Sequence, residues 1–351
     1  MENNFTEKAK KSIENLKNKN SKLYFLIQDT KGNARASIKF IYEMAYILKM
    51  NGYNPKILHE KNDYDGVGSW LDEKYMKEIE HVSIESKNLE VSAEDFIIVP
   101  EIFGFVMEQI KNLPCGKIVL SQSYRYMLET LQPGQSWSQL GFLKCITTSL
   151  IQKEYIQSIM KNVSVDILTP FISDFFEPRN LPQLPIIAVH TREQSDTINL
   201  IKTFYLKYPQ YRWFTFRDMR GLSEKEFSEK LKESFLSVWI DDDSSFGTFP
   251  LESMSCGVPV LGVVPSLQPE WMEETNGLWV NNKNDLSNFI ADYIQNWLED
   301  NIKTDLYEEG KKTVEKYKNK QDFESNVIAL FDGYIKKRAE YFESQLTKNE
   351  E

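Results

Sequence analysis

"KLYFLIQDTKGNARASIKFIYEMAYILKMNGYNPKILHE", residues 22–60, changes hydrophobic period twice. Residues 23–28 form an apolar, β-prone run, and 29–33 ("DTKGN") form a turn cluster. Ile38, Ile41, Tyr42, Ala45 and Leu48 then recur at helical spacing. Asn51-Gly52 stops that helix, because glycine takes the left-handed C-cap conformation without steric cost. Residues 55–58 begin the next strand. Strand, helix and strand over so short a length is a βαβ unit, and its right-handed crossover makes the two strands parallel.

The same alternation continues outward. Strands are predicted at 95–101 ("DFIIVPE"), 117–122 ("KIVLSQ") and 143–149 ("LKCITTS"), with helices around 106–111 and 151–160. Residues 170–185, "PFISDFFEPRNLPQLP", carry four prolines and little periodicity, which reads as a linker. A second series follows: a strand at 186–190, a helix around 197–207, a strand at 211–217 and a strand at 236–240. Ser223 and Glu226 form a capping box for the helix between the last two strands. Phe227, Leu231 and Phe235 are spaced to line one face of that helix. Residues 321–349 form a long amphipathic helix whose Phe323, Val327, Leu330, Phe331, Tyr334 and Ile335 need a surface to bury against. The predicted class is α/β, with two doubly wound, Rossmann-like domains. The expected boundaries are 1–174, a linker at 175–185 and 186–320, with the C-terminal helix packing back on the first domain.

The chain has 351 residues, enough for two domains of ordinary size, and its 41% hydrophobic and 27% charged residues suit a globular protein. A net charge of −10 without a basic patch argues against nucleic acid. Residues 1–174 carry 21 basic and 22 acidic side chains, and the rest carry 21 and 30. The N-terminal "ENLKNKNSK" reads as a solvated helix end or tail. Three dispersed cysteines and three dispersed histidines form no zinc-site spacing and fit a reducing compartment. With no apolar run of membrane-spanning length and no signal-peptide core, the expected location is cytoplasmic, with peripheral membrane contact left open.

In an open parallel sheet, ligands sit beyond the carboxyl ends of the strands. Four segments of the second half should end there. "VHTREQSD" places Arg192 after a strand, and "FRDMRG" places Arg217 and Arg220 after the next. "DDDSSFGTFPLESMSCGVPVLG" (241–262) places Glu252 near a helix start, and "VPSLQPEWMEETNGLWV" (264–280) closes the set. Guanidinium groups and helix-end amides suit a diphosphate, and a carboxylate suits two ribose hydroxyls. Glu252 taken alone has a plainer account, since acids favour first helical turns through the helix dipole.

The stretch "FGTFPLESMSCGVPVLG…QPEWMEETNGLWV" resembles the donor-site signature of the GT-B glycosyltransferases of family 4 (glycosyltransferase group 1). Phe246-Gly247, Leu251-Glu252, Met254, Cys256-Gly257, Pro259-Val260, Pro269-Glu270 and Gly277-Leu278 fall in register with that pattern. "GNARASIKFIYEMAYILKMNGYNPKIL" resembles the family's first loop and helix. The resemblance implies transfer of a sugar from a nucleotide diphosphate-sugar to a carbohydrate or cell-envelope acceptor. It also implies no bound metal, no cofactor beyond the co-substrate, and retained anomeric configuration. It assigns Glu252 to the ribose and Arg192 to the diphosphate, with Arg217 or Arg220 as helpers. The amides of Gly247, Thr248 and Phe249 would meet phosphate. On the acceptor side it points to Gly32 and Asn33 in the first loop, and to Glu101 and Gln122 at strand ends.

Two departures stand out. The family places an acid eight positions before the glutamate, where this chain has Ser244; a one-residue loop shift would let Asp243 serve as the catalytic acid. The family's lysine shortly after the arginine is absent, Lys202 lying deeper in the helix. Ser244 therefore supports a second reading, a catalytically weak glycosyltransferase-like binding or partner protein. A sugar-nucleotide epimerase would call for acid–base groups facing the sugar from both domains, and no convincing pair is present.

Overall fold

The structure, a computed structural model, describes residues 2–64, 70–87, 89–178, 183–301 and 305–350. The chain divides into two compact units, one of residues 1–148, 152–168 and 321–351, the other of 149–151 and 169–320. Residues 179–182 of the expected linker lie outside the described residues.

In the first unit the order is α1 (Glu2–Lys17), β1 (Lys22–Ile27), α2 (Ala36–Met50), β2 (Asn54–His59), α3 (Glu73–Glu78), β3 (Glu80–Ser83) and β4 (Phe96–Pro100). It continues with α4 (Gly104–Ile110), β5 (Gly116–Ser121), α5 (Tyr124–Thr130), β6 (Lys144–Thr147), α6 (Leu150–Ile159) and β7 (Ser164–Ile167). The seven strands form one parallel sheet in the order β3-β2-β1-β4-β5-β6-β7. The strand order reverses between β1 and β4, a topological switch point.

The stretch 14–22 spans the end of α1, with Glu14, Lys17, Asn18 and Asn20 exposed as a solvated helix end, while the helix packs by its other face. Ala9, Ile13 and Leu16 are buried, while Ser12 Oγ and Asn15 Nδ2 donate to the Glu94 carboxylate at 2.9 and 2.8 Å. The last helix of the chain, α12 (Lys320–Glu350), belongs to the first unit over 321–350. It buries Phe323, Val327, Phe331, Tyr334 and Ile335. Phe331 meets Phe25 of β1 with ring centroids 5.8 Å apart, and the Tyr334 hydroxyl donates to Asp166 Oδ2 at 2.9 Å. Full burial of each large apolar side chain stabilises by roughly 2 kcal/mol, so this stripe binds the helix firmly to the sheet.

The second unit runs β8 (Leu184–Thr191), α7 (Gln194–Lys207), β9 (Thr215–Asp218), α8 (Glu224–Lys232), β10 (Ser234–Ile240), α9 (Thr248–Ser255), β11 (Val260–Val263), β12 (Leu278–Val280), α10 (Leu286–Leu298) and α11 (Asp305–Glu315). Its five strands are parallel in the order β12-β11-β10-β8-β9, with the switch point between β8 and β10. Both faces are covered, as a parallel sheet requires. Ile187, Val189, Leu236, Val238 and Ile240 enter one core, while Ala188 and Trp239 enter the other with Phe246, Phe249, Leu251 and Met254.

Three boundaries differ from the sequence expectations. The run 211–217 is mostly not strand: Pro209 opens a 3₁₀ turn, Tyr211 and Phe214 are drawn into the core, and β9 begins only at Thr215. α8 starts on the Ser223–Glu226 capping box but ends at Lys232, so Phe235 is a strand residue rather than part of that helix face. At the edge of the proline-rich stretch, Phe176 is buried against Phe227, their rings 6.0 Å apart, and β8 already begins at Leu184.

Candidate functional site

The second unit's switch point is built by two strand ends. β8 and β10 are register partners up to Thr191 and Ile240, so the next residues, Arg192 and Asp241, emerge side by side. The Arg192 amide extends the ladder by donating to the Ile240 carbonyl at 3.2 Å. The two side chains then meet in a fork: Arg192 Nε donates to Asp241 Oδ1 at 2.8 Å and Nη2 to Oδ2 at 3.0 Å. Such bidentate pairs fix orientation as well as supplying energy. Asp243 Oδ2 lies 4.0 Å from the same Nε, so two carboxylates face one guanidinium.

Asp241 also shapes the loop that follows. Its Oδ1 accepts the Asp243 amide at 3.2 Å, and its carbonyl accepts the Ser244 amide at 3.4 Å. This turn leaves Asp243 on the Arg192 side and buries Ser244. Burial and the neighbouring Asp196, Asp243 and Asp241 raise the Asp242 carboxyl above its usual range, against the pull of Lys283.

The loop reaches α9 through Gly247, whose φ of +70° is one that side chains rarely adopt. A Cβ there would stand 2.7 Å from the Trp239 ring, so only glycine lets the backbone run this close to the sheet. Gly247, the N-cap of α9, has no side chain with which to cap it. Pro250 has no N–H to offer, which leaves Gly247, Thr248 and Phe249 as the amides at that end. The Phe249 ring is core, stacked on His190 at 5.0 Å, so only its backbone can serve a ligand.

Glu252 is not in the first turn of α9, contrary to the sequence expectation. It is the fifth residue from Thr248, and the first turn holds no acid. The helix-dipole effect fades within the first turn, so that account of Glu252 loses its basis. Phe249, Pro250, Leu251, Ser253, Met254 and Ser255 are all buried. Thr248 and Glu252, one turn apart on one face, are the half-buried positions of the helix.

His190 sits behind this site, packed against Phe249 and edge-on to Phe227 at 6.3 Å. Burial lowers its pKa despite the opposing pull of Asp241 and Asp218, which keeps the ring neutral at pH 7. The loop 264–277 is tied to the same region: Trp271 Nε1 donates to the Phe246 carbonyl at 2.6 Å, and Asn276 Nδ2 donates to the Trp271 carbonyl at 2.6 Å. The contiguous motif at 246–257 and the distant one at 269–278 thus meet in one cluster.

Arg217 and Arg220 have other contacts. Arg217 Nη1 donates to the Lys230 carbonyl and Glu233 at the C-terminal end of α8, at 2.9 and 3.0 Å. A cation there is favoured by the helix dipole. Arg220 folds back on Asp218, with Nε 2.9 Å from Oδ1, and holds that carboxyl below its usual range.

No family model matches the sequence. The chain is 25% identical over 185 residues to an α-1,6-glucosyltransferase of Actinobacillus pleuropneumoniae serotype 7 (strain AP76), a match over 52% of this chain and 56% of that protein. The chain thus spans only about half the length of that curated relative. Among solved structures it superposes on a sucrose-phosphate synthase from Thermosynechococcus elongatus with a TM-score of 0.63 and 14% identity, covering 90% of this chain and 99% of the other. It superposes on Anabaena HepE in complex with UDP-glucose with a TM-score of 0.62 and 12% identity, covering 89% and 99%. It superposes on the pneumococcal O-GlcNAc transferase GtfA, in complex with UDP and GlcNAc, with a TM-score of 0.60 and 7% identity, covering 91% and 99%. The fold is the GT-B glycosyltransferase fold.

Within the first of the two GT-B units, the loop after β1 carries Gly32 at φ +79°, and the Asn33 amide and side chain both donate to the Thr30 carbonyl at 3.0 and 3.2 Å. Glu101 follows β4, at that unit's switch point, but is buried. Its Oε1 accepts the amides of Gln122 and Ser123 at 2.9 and 2.6 Å. That is a staple between β4 and the start of α5, a contact distinct from the expected acceptor role. Gln122 Nε2 donates to the Ser37 carbonyl at 3.2 Å, tying the same loop to α2.

Sequence reasoning missed the fork between Asp241 and Arg192, because it depends on β8 lying beside β10. It also gave no role to His59 and His81, whose ring nitrogens Nε2 and Nδ1 lie 2.8 Å apart across β2 and β3. Among the described residues no group of three or more His, Cys, Asp or Glu could hold a metal, and no helix is long and apolar enough to cross a membrane.

Proposed function

We propose that this chain transfers a sugar from a nucleotide diphosphate-sugar to a carbohydrate acceptor, with the donor held at the carboxyl ends of β8 and β10. The observation that carries this reading is the convergence of Arg192, the glycine-led start of α9 and half-buried Glu252 beside one switch point. Bond cleavage at the anomeric carbon leaves negative charge on the departing diphosphate. Arg192 and the amides of Gly247, Thr248 and Phe249 stabilise that charge, which is where catalysis of such a transfer gains most. Glu252 accepts hydrogen bonds from the two ribose hydroxyls. The UDP-containing neighbours and the α-1,6-glucosyltransferase relative support a uridine donor and a glycan acceptor. The transfer is metal-independent and retaining, as the sequence resemblance implies, and takes place in the cytoplasm, where three dispersed cysteines fit a reducing compartment.

The test is incubation with UDP-, GDP- and dTDP-sugars, reading thermal stabilisation and slow donor hydrolysis, with and without EDTA. Stabilisation by one nucleotide class together with chelator-resistant hydrolysis is expected. No stabilisation by any of them refutes the donor site. Ser244, buried where the family has an acid, favours one second reading, a binding or partner protein. Stabilisation without hydrolysis or transfer selects it.

A further inference from the structure

We propose that Asp241 is a positioning residue: it fixes the guanidinium edge that Arg192 presents to the donor's diphosphate, and with the same oxygen sets the turn that leads to α9. The inference rests on the donor-site reading above. Three observations carry it. The β8–β10 register forces residues 192 and 241 into adjacency, so their pairing is built into the sheet rather than left to chance contact. The fork holds Arg192 through two donors, Nε and Nη2, so the guanidinium cannot turn without breaking both bonds. Finally, Asp241 Oδ1 accepts from Arg192 Nε and from the Asp243 amide together, coupling the guanidinium to the 241–244 turn.

An arginine on its long side chain has many rotamers to lose on binding a ligand. A carboxylate that already holds one edge removes most of that loss before the donor arrives. Asp241 and Asp243 both face Arg192, at 2.8 and 4.0 Å from its Nε, so a diphosphate reaches this cluster only by engaging the arginine. Asp241 touches no reacting atom in this scheme and acts through Arg192.

The experiment is a calorimetric double-mutant cycle on the full chain, with UDP, GDP and dTDP as probes and their nucleosides as controls. The variants are Asp241→Asn, Arg192→Ala and both together. Asp241→Asn is expected to weaken the diphosphate that binds by about tenfold while leaving its nucleoside within twofold, and to add nothing on top of Arg192→Ala. Equal weakening of nucleoside and diphosphate, or additive effects in the double variant, overturns the positioning role while the donor site stands. If no probe binds the unmodified chain, the donor-site reading and this inference fall together. Should Asp241→Asn not fold, Arg192→Lys replaces it, since lysine keeps the charge and loses the fork. It is expected to weaken the diphosphate about tenfold and spare the nucleoside, and an affinity equal to the unmodified chain's overturns the proposal.

Discussion

Glu252 is a carboxylate on a helix whose other faces are buried, one turn beyond the reach of the helix dipole. In the proposed donor pose a ribose supplies this carboxylate with two hydroxyl donors. Hydrogen bonds to a charged acceptor contribute roughly 1.5–3 kcal/mol. Glu252→Ala is therefore expected to raise the nucleotide-sugar Kd by about tenfold or more, with little change in Tm. An unchanged Kd in titration calorimetry removes Glu252 from the ribose role. Glu101 shows the opposite logic. It is buried and holds two backbone amides, so Glu101→Ala removes two hydrogen bonds to a charged acceptor, at roughly 1.5–3 kcal/mol each. A fall in Tm of several degrees is expected. A stable variant with a raised acceptor KM instead returns Glu101 to the acceptor side.

At the scale of elements, β2 and β3 bring His59 and His81 together, with Tyr64 stacked on His59 at a centroid distance of 3.5 Å. Burial, reinforced by the neighbouring His81, pushes the His59 pKa down to about 3 against the weaker pull of Asp29; burial alone takes His81 to about 4. Both rings are thus neutral when folded but take up protons near pH 6.5 when unfolded. Their contribution is intact above pH 6.5 and is lost as pH falls from there towards about 4, at up to about 1.4 kcal/mol per pH unit for each ring. Denaturant unfolding at pH 7 and pH 5 is expected to show the loss, and the double variant His59→Phe, His81→Leu to flatten it. A slope unaltered in that variant assigns the loss to other groups. This pair was illegible in the sequence for a physical reason. β3 ("EHVS"), like β7 ("SVDI"), is short and mixed in polarity, and becomes a strand through pairing with its neighbour rather than through its own pattern. The long periodic elements α2 and α12 could be read directly, because their apolar stripes match the helical repeat. The site divides the same way. Gly247 and Glu252 lie in one contiguous motif, whereas the Arg192–Asp241 fork spans forty-nine residues and needs the strand order to be known.

For the molecule as a whole, charge and proposed ligand are at odds. Residues 169–320, most of the second unit, hold 17 basic and 24 acidic side chains, a balance of −7, yet the proposed donor is an anion. Two ranges of electrostatics separate here. The repulsion comes from charges spread over the unit's surface, and ions screen it beyond a Debye length of about 10 Å at 0.1 M salt. The attraction comes from Arg192, three-quarters buried, together with backbone amides in direct contact, and salt screens these much less. Long-range fields act mainly on encounter and short-range contacts on escape. Raising ionic strength from about 20 mM to about 150 mM is therefore expected to increase kon for UDP several-fold while koff changes little, tightening Kd. Stopped-flow measurement on intrinsic tryptophan fluorescence is suited to this, because Trp239 lies directly beneath Gly247. A kon that falls steeply with salt shows that a local positive field at the site outweighs the acidic surface, and that more cations than Arg192 reach the diphosphate.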